Sequence, residues 1–397
     1  MAELISIDEA RRRVLEAVNP LENEDVALAG ALDRVLASDV ASPTDVPPFA
    51  NSAMDGFAVQ AGPPAELEVI DESRAGRPSA RVVGPGTAVR ISTGAAVPAG
   101  TTAVVAVERA RGGDGSSGRV WVEASAEGDN IRRAGEDVRS GDVVLRRGTL
   151  IGPAELGLAA SIGRAVLPCP RRPTVAVLVT GDELTDPGTE LAPGGIYSSN
   201  AFALGGLVER SPATLLFRIT VRDSAESTRE SIARALTEAD VTCVSGGVSV
   251  GPHDHVKPAL RELNVAERFW GVALRPGKPI WFGSHEKRLV FGLPGNPVSA
   301  MVTFLLFVRP ALLALQGAPA DVAKVSAMLD DPVPLLAARE QAVRVSLYAR
   351  DDGWHASTTG EQGSHMLTSM LGADGLAMIP RGEGEAAAGT RVAVQLL

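Results

Sequence analysis

Three small-residue turns, each following a short apolar run, stand out in the middle of the chain. The runs and their turns are 175–179 before Thr180–Glu183, 241–244 before Ser245–Asp254, and 289–293 before Pro294–Pro297. Continuous apolar runs of this length are typical of parallel strands that are buried on both faces. Because such strands in an open α/β sheet end at one edge, where ligands bind, the three turns predict a shared binding site.

The residues of these turns suit a phosphate group and a metal ion. Glycines let backbone N–H groups approach an anion closely, and a following helix N-terminus favours negative charge. Glu183 and Asp254 add carboxylates to the same edge, and carboxylates that share a phosphate are typical ligands of Mg²⁺. A purely structural turn is the alternative, although such a turn rarely needs the three glycines and two serines of Ser245–Asp254.

The composition limits the class of partner. A net charge of −10 argues against general binding to nucleic acid or to anionic membranes. The longest apolar run, 298–308, is too short to cross a bilayer, and the N-terminus carries no apolar signal segment, so we expect a cytoplasmic protein. Cys169 and Cys243 lack a metal-ligand spacing and are expected as buried thiols. His253 and His255, without a third nitrogen or sulfur ligand, do not indicate zinc.

At 397 residues the chain exceeds the usual size of one domain, and its pattern of apolar and turn-forming residues changes from one region to the next. A capping-box pattern at Ser6 predicts a first helix, and a second helix is expected over 27–37. Short β-rich runs between Gly/Pro turns fill 46–137 and predict a small barrel or sandwich. Alternating strands and helices over 174–316 predict a parallel sheet with helices on both faces, and 320–397 indicates a small β domain.

Several further motifs have an ordinary structural alternative. Turn hydrogen bonding would account for Asp55, and capping of a strand end would account for Thr93. Asp137 follows two arginines, and a salt-bridged surface turn would explain it. Arg275 and Lys278 lie on a turn made rigid by prolines that suits an oxyanion, whereas solvated surface charges are the alternative.

Eight short motifs, taken together, resemble one family. They are Ser-Ala-Met-Asp-Gly-Phe-Ala (52–58), Ser-Thr-Gly-Ala (92–95), Arg-Ala-Gly-Glu-Asp (133–137), Thr-Gly-Asp-Glu-Leu (180–184), Ser-Gly-Gly-Val-Ser-Val-Gly (245–251), Arg-Pro-Gly-Lys-Pro (275–279), Leu-Pro-Gly-Asn-Pro-Val-Ser (293–299) and Gly-Ser-His (363–365). Each motif alone is weak, but this order is specific and spans about residues 5–397. The chain resembles the molybdopterin molybdenumtransferases, the metal-insertion enzymes of molybdenum cofactor biosynthesis and relatives of the C-terminal part of gephyrin.

The resemblance implies a multidomain α/β plus β fold in an elongated homodimer. The implied domains are a discontinuous N-terminal, dimerisation domain (1–45 and 138–168), an inserted small β domain (46–137), a central doubly wound α/β domain that binds molybdopterin (169–317) and a C-terminal β-barrel-like domain (318–397). The site would lie between the central domain of one subunit and parts of its partner. The resemblance also implies a transient contact with the molybdopterin adenylyltransferase.

By the same resemblance, the reaction inserts molybdate into adenylylated molybdopterin, hydrolyses the pyrophosphate linkage with Mg²⁺, and releases AMP and molybdenum cofactor. Glu183 and Asp254 match the family's magnesium-side acids. The implied catalytic residues are Asp55, Thr93, Asp137, Asp223, Arg275, Lys278 and Ser364. The implied cofactor-binding residues are Thr180, Gly181, Asn200, Ser245, Gly246, Gly247, Ser249, Gly251, Pro294 and Pro297.

Two positions depart from the family pattern. Arg275 stands where a lysine is frequent, and arginine keeps the positive charge while adding bidentate geometry. Ser198 stands where an aspartate is frequent, which weakens the pocket-lining role expected of the Ile196–Asn200 loop.

Three alternatives share parts of this pattern. A scaffold protein descended from the enzyme would be favoured by loss of the magnesium acids, and both are present. The adenylyltransferase that makes the substrate resembles 174–316, but it is usually a lone domain, whereas about two-thirds of this chain lies outside that region. Binding or storage of molybdopterin without turnover is compatible with the same residues.

Overall fold

The computed structural model describes residues 4–113, 118–248 and 254–397. A six-stranded sheet forms the central part of the molecule. Its strands, from one edge to the other, are Thr214–Val221, Thr174–Thr180, Val241–Ser245, Arg288–Leu293, Trp281–His285 and Ala266–Trp270. The first four strands are parallel, and the last two are antiparallel to their neighbours.

The antiparallel strands correct the wholly parallel sheet expected from the sequence. Only Glu286 and Lys287 separate the strand Trp281–His285 from the strand Arg288–Leu293. A connection this short closes only an antiparallel hairpin, because a parallel crossover needs a dozen or more residues. The three strands that lead into the predicted turns are nevertheless parallel to one another, as the prediction required.

Both faces of this sheet are buried, which explains the continuous apolar runs. Along Thr174–Thr180, the odd-numbered valines enter one core, and Ala176 and Leu178 enter the other. The covering helices are Ile7–Glu16, Ser199–Glu209 and Pro297–Leu315 on the first face, and Ala225–Glu238 and Val256–Glu262 on the second.

The helix Pro297–Leu315 has 19 residues and a mean hydropathy of 2.0. In the described part of the chain it is the one helix long and apolar enough to cross a membrane, yet 78% of its most apolar window is buried inside the protein. The apolar run 298–308 lies within this helix, which continues through Arg309 and Pro310. A π-helical turn, Phe304–Val308, interrupts the regular hydrogen bonding there. The N–H group that Pro310 lacks therefore costs little.

Segments on either side of the inserted β region pair with each other. Asn23–Ala27 pairs with Val166–Pro170, and Val40–Ala41 pairs with Val143–Leu145, both in antiparallel fashion. The helix Pro153–Ser161 packs on the same core. This part of the fold is therefore discontinuous in sequence.

The α-helix expected over 27–37 does not form. The segment holds a 3₁₀ turn, Leu28–Gly30, and no other helix. The backbone N–H groups of Asp33 and Leu36 donate to carbonyl groups in 149–151 instead of to the preceding helical turn. Hydrogen bonds to a distant segment thus satisfy these backbone N–H groups, and the helix that the local sequence pattern predicts does not form.

The inserted region is a six-stranded sheet, in agreement with its short β-rich runs. Its strands, in order across the sheet, are Ala103–Ala106, Gly56–Val59, Thr87–Ile91, Ala65–Ser73, Arg119–Val122 and Ala110–Gly112. A 3₁₀ turn, Val107–Arg109, follows the first of these strands. The short pair Asn51–Ser52 and Ile131–Arg132 joins the two ends of the insertion.

The C-terminal region closes into a five-stranded barrel. Its strands, in order around the barrel, are Glu340–Arg350, Gly353–Thr358, Lys324–Leu329, Arg391–Leu396 and Gly375–Ile379, which pairs with Glu340–Arg350 again. Shorter elements are the pair Val333–Pro334 and Glu385–Ala386 and the 3₁₀ turn Leu367–Met370. Leu274–Arg275 adds to the barrel in parallel with Glu340–Arg350. The expected fold class, multidomain α/β plus β with a β-barrel-like C-terminal region, is confirmed.

Candidate active site

A cleft of about 760 Å³ lies at the carboxyl ends of the parallel strands. The three predicted turns form its walls together with the paired segments Leu184–Thr185 and Ile196–Tyr197. The predicted residues that line it are Thr180, Gly181, Glu183, Asn200, Asp223, Ser245, Gly246, Gly247, Asp254, Pro294 and Pro297. The structure therefore brings most of the predicted binding residues to one place, which we call the acid-lined cleft.

The first turn folds a carboxylate back over its own backbone. A side chain at Gly181 would place its Cβ atom 2.6 Å from a carboxylate oxygen of Glu183, so it would displace this carboxylate from its position over the turn. The Asp182 carboxylate accepts a hydrogen bond of 3.0 Å from the backbone N–H of Asp223. This bond ties the first turn to the neighbouring strand end and holds Asp223 at the rim of the acid-lined cleft.

The second turn is built on glycine in a conformation that other residues rarely adopt. Gly246 has a φ of 95°, and a Cβ atom there would lie 2.7 Å from the hydroxyl oxygen of Thr180. The first and second turns therefore pack directly against each other and expose backbone to the cleft. Ser249 and Gly251, predicted in the same turn, lie outside the described residues.

One asparagine links the second and third turns. The Nδ2 group of Asn200 donates to the hydroxyl of Ser245 at 2.9 Å and to the carbonyl of Gly295 at 2.8 Å. The hydroxyl of Ser245 donates in turn to the carbonyl of Pro294 at 3.0 Å. The Oδ1 atom of Asn200 is buried and accepts no hydrogen bond from the residues that the structure describes. It remains available as an acceptor for a ligand.

Asp254 is a half-buried acid without a direct partner. Burial raises the pKa of its carboxyl group, although the N–H groups of Val256 and Lys257 and the Lys257 charge act in the opposite direction. Neither carboxylate oxygen reaches hydrogen-bond geometry with a described residue, so these N–H groups act on it only through their dipoles. An unsatisfied carboxylate in a cleft is suited to bind a cation.

The donor set fits Mg²⁺ that arrives with a phosphorylated ligand. Within residues 4–113, 118–248 and 254–397, no group of three or more His, Cys, Asp or Glu side chains could hold a metal ion. Mg²⁺ does not require such a cage, because it keeps several waters and commonly binds one or two carboxylates together with substrate phosphates. Glu183 and Asp254, which line one cleft, meet this requirement.

A second pocket of about 380 Å³, the cation pocket, adjoins the acid-lined cleft. Its positively charged residues are Arg275, Lys278 and Arg339. The Nδ2 group of Asn296 donates to the hydroxyl of Ser364 at 3.1 Å, across the junction between the central sheet and the C-terminal barrel. The predicted residues Arg275, Lys278 and Ser364 thus lie together, whereas the sequence analysis missed Arg339 and Asn296.

A buried arginine supports the wall of the cation pocket. Arg344 is only 1% exposed and donates to the hydroxyl of Ser369 at 3.1 Å and to the carbonyl of Gly363 at 3.3 Å. Burial, reinforced by the charge of Arg275, lowers its pKa to about 10. No motif of the sequence pointed to Arg344.

Three predicted residues lie elsewhere in the chain. Asp55 and Thr93 are exposed, and Asp55 accepts hydrogen bonds from the Thr93 N–H at 2.7 Å and from the Thr93 hydroxyl at 3.1 Å. Asp137 is exposed, and its N–H donates to the carbonyl of Val46. None of the three is among the described residues that line the acid-lined cleft or the cation pocket.

Comparison with known proteins agrees with this architecture. Three family models match consecutive parts of the chain: MoeA N-terminal region (domain I and II) over 5–163, Probable molybdopterin binding domain over 176–314, and MoeA C-terminal region (domain IV) over 326–397. The molybdopterin biosynthesis moeA protein from Pyrococcus horikoshii OT3, known from a crystal structure, is 31% identical with a TM-score of 0.85, over 100% of both chains.

Curated relatives extend over the same length. The molybdopterin molybdenumtransferase of Haemophilus influenzae is 36% identical over 99% of this chain and 98% of its own. Molybdopterin molybdenumtransferase 2 of Mycobacterium tuberculosis is 38% identical over 98% of each chain. Fold, site and relatives together define a transferase of molybdenum cofactor biosynthesis. The chain belongs to the molybdopterin molybdenumtransferase family.

Proposed function

We propose that this chain inserts molybdate into adenylylated molybdopterin and releases AMP and molybdenum cofactor. The observation that carries the proposal is the contact between two different ligand pockets. The acid-lined cleft and the cation pocket share Pro279, Asn296 and His365 in their walls. A phosphorylated pterin in the first pocket and an oxyanion in the second would therefore meet at these residues.

In this proposal Glu183 and Asp254 would hold Mg²⁺ that arrives with the phosphorylated substrate. Bound there, the ion would supply charge neutralisation and Lewis-acid activation. Backbone N–H groups around Gly246 approach the phosphate oxygens, since no side chain at this position stands in the way. Asn200 contributes the free Oδ1 acceptor described above and orients the substrate.

The cation pocket is suited to hold the molybdate dianion. Arg275, Lys278 and Arg339 offer positive charge and N–H donors, and the hydroxyl of Ser364 adds a neutral donor. The buried charge of Arg344 lies behind this wall and raises the positive potential of the pocket. Preorganised charges of this kind bind an oxyanion without rearrangement during the reaction.

The remaining predicted residues belong to the assembled protein in this proposal. Asp55, Thr93 and Asp137 would close over the acid-lined cleft of a second copy in a homodimer. The two hydrogen bonds between Thr93 and Asp55 support this role, because they fix an exposed polar pair before any partner arrives. A cytoplasmic location and a transient contact with the adenylyltransferase complete the proposal.

The test is AMP release from adenylylated molybdopterin by the purified protein, with Mg²⁺ and molybdate each supplied or withheld. We expect release that requires Mg²⁺, depends on molybdate and yields active cofactor. Tight substrate binding without AMP would instead indicate a carrier or scaffold. Formation of adenylylated molybdopterin from molybdopterin and ATP would indicate the adenylyltransferase.

A further inference from the structure

A separate cavity of about 230 Å³ lies between the central helices and the C-terminal region. Its polar residues are Arg210, Ser211 and Arg309, and its apolar residues are Leu207, Met301, Leu305, Met370, Ala373 and Leu397. Among the described residues, it shares no lining residue with the acid-lined cleft or the cation pocket. We call it the arginine cavity.

Arg309 is an unusual residue for its position. It is the one charged residue of the helix Pro297–Leu315 and is partly buried. Its guanidinium group makes no hydrogen bond or ion pair with any residue that the structure describes. Burial lowers its pKa, and the charge of Arg210 lowers it further. A partly buried charge without a partner is unfavourable unless something else neutralises it.

Arg210 brings a second positive charge to the same cavity. It follows the helix Ser199–Glu209 directly and is exposed. It, too, has no ion pair with a described residue. The chain carries 48 acidic and 38 basic residues, so acids are plentiful, yet none is paired with either arginine in the described ranges. No described carboxylate lies within ion-pair distance of either guanidinium group, and two like charges that line one cavity favour an anion between them.

The rest of the cavity wall indicates what kind of anion would fit. Six of its nine lining residues are apolar, and they extend from the two arginines toward the C-terminal region. Inorganic phosphate would leave this apolar surface uncovered, whereas an anion with an apolar body would bury it. The volume lies below the roughly 300–1,000 Å³ of pockets for drug-sized ligands. The occupant must therefore be small.

We propose that the arginine cavity binds a small organic carboxylate. Its carboxylate group faces Arg309 and Arg210, and its apolar body packs against Met301, Met370 and Leu207. The planar guanidinium fork of Arg309 matches a carboxylate in bidentate geometry. Because the wall combines a central helix with the C-terminal region, the bound carboxylate contacts both parts of the molecule.

Benzoate is a suitable probe because it combines a carboxylate with a compact apolar ring. Isothermal titration at constant ionic strength should show saturable binding of benzoate to the full chain. Because the cation pocket can also take up phosphate, phosphate is tested as a competitor and should displace benzoate only at concentrations at least tenfold higher than those of benzoate. The variant Arg309→Met keeps a helix-compatible, apolar side chain and should weaken benzoate binding at least tenfold. Arg309→Lys keeps the charge without the fork and should weaken it less.

Arg210→Gln provides a second variant at an exposed position, where folding is not at risk, and should also weaken benzoate binding. The matched control is Arg234→Gln, because Arg234 lies on another helix, paired with Glu238. Release of AMP should be unchanged in Arg309→Met, which separates this proposal from the proposed function. Benzoate affinity that is equal in wild type, Arg309→Met and Arg210→Gln would overturn the proposal. Displacement of benzoate by phosphate at equal concentration would overturn it as well, as would no saturable benzoate binding.

Discussion

The acid-lined cleft and the cation pocket adjoin, but they are built in opposite ways. Every predicted residue of the cleft belongs to the central region, and all except Asn200, which lies in the helix Ser199–Glu209, lie at or after the ends of strands of one sheet. The cation pocket combines Arg275 and Lys278 of that region with Arg339 and Ser364 of the C-terminal region. Its geometry rests on the pairing of Leu274–Arg275 with a barrel strand. The cleft is thus built mainly on one sheet, with His365 as its contact to the C-terminal region, whereas the cation pocket takes its charged residues from both parts of the molecule.

This difference suggests that the two pockets have different roles in the reaction, which mutations can test. Changes in the acid-lined cleft should abolish the hydrolytic step itself. Changes in the cation pocket should mainly alter the concentration of molybdate that the protein needs. Changes far from both should affect stability alone.

The largest effect is expected from removal of the half-buried acid. Asp254→Asn keeps the shape of the side chain but removes its negative charge, so we expect AMP release to fall about 100-fold or more. Chelation of Mg²⁺ in the wild-type protein should produce a loss of similar size. Asp186→Asn is the control, because Asp186 is exposed and does not line the cleft. Near-normal AMP release by Asp254→Asn would remove this residue from the metal site.

The second-largest effect is expected from a change at Gly246, where the first two turns contact each other. Gly246→Ala would place a Cβ atom 2.7 Å from the Thr180 hydroxyl in a backbone with a φ of 95°. We expect a loss of about 3 kcal/mol in the free energy of unfolding, measured by denaturant titration, and weaker substrate binding.

The matched control for this change is Gly188→Ala. Gly188 also has a φ of 95°, but a Cβ atom there would contact no described atom within 4 Å. This variant should lose only about 1 kcal/mol in the free energy of unfolding, which is the cost of placing alanine in this backbone conformation. Equal losses in the two variants would show that the contact between the turns does not matter.

A moderate effect is expected from the arginine behind the cation pocket. Arg344→Met removes a buried charge and its hydrogen bond to the carbonyl of Gly363. We expect the KM for molybdate to rise about tenfold, with a smaller change in kcat. Arg344→Lys should recover part of the loss, and Arg391→Gln, on an exposed strand position, should behave as wild type. An unchanged KM for molybdate with a reduced kcat would place Arg344 outside molybdate binding.

The smallest effect concerns the barrel itself, away from both pockets. Both ring nitrogens of His355 face carboxylates, at 2.9 Å from Asp330 and 3.0 Å from Asp352, and these acids raise its pKa. A raised pKa means that the stabilisation is complete below the unfolded value of about 6.5 and is lost as the pH rises through the folded value.

His355→Gln should therefore reduce the Tm at pH 5.5 more than at pH 8.5, in thermal scans at constant ionic strength. Steady-state AMP release at pH 7 should change little, because His355 lines neither pocket. Equal reductions of Tm at the two pH values would show that the histidine is not held as an imidazolium ion.

The part of the site that follows the local sequence could be predicted. Thr180, Ser245 and Pro294 each come directly after an apolar run, and parallel strands must end at the same edge of their sheet. Arg339 and Arg344 carried no such signal. Arg339 precedes a barrel strand and Arg344 lies within it, and their neighbours are set by pairing with segments far away in the chain.

The two errors in the fold have different physical origins. The antiparallel hairpin at Glu286 depends on where its strands end, since the observed two-residue connection leaves no room for a crossover. The absent helix over 27–37 was not readable, because its backbone bonds go to 149–151, more than a hundred residues away in the chain. The local pattern of apolar residues contains no information about hydrogen-bond partners that lie so far away in the chain.

The central claim is that the two adjoining pockets serve one reaction, and one titration tests it most directly. AMP release from adenylylated molybdopterin would be measured against molybdate concentration, with Mg²⁺ present, in wild type, Asp254→Asn and Arg275→Gln. We predict saturable, molybdate-dependent release in wild type, almost none in Asp254→Asn at any molybdate concentration, and recovery of Arg275→Gln at high molybdate. AMP release by the wild type that does not depend on molybdate would contradict the account. The same dependence of AMP release on molybdate in both variants would contradict it as well.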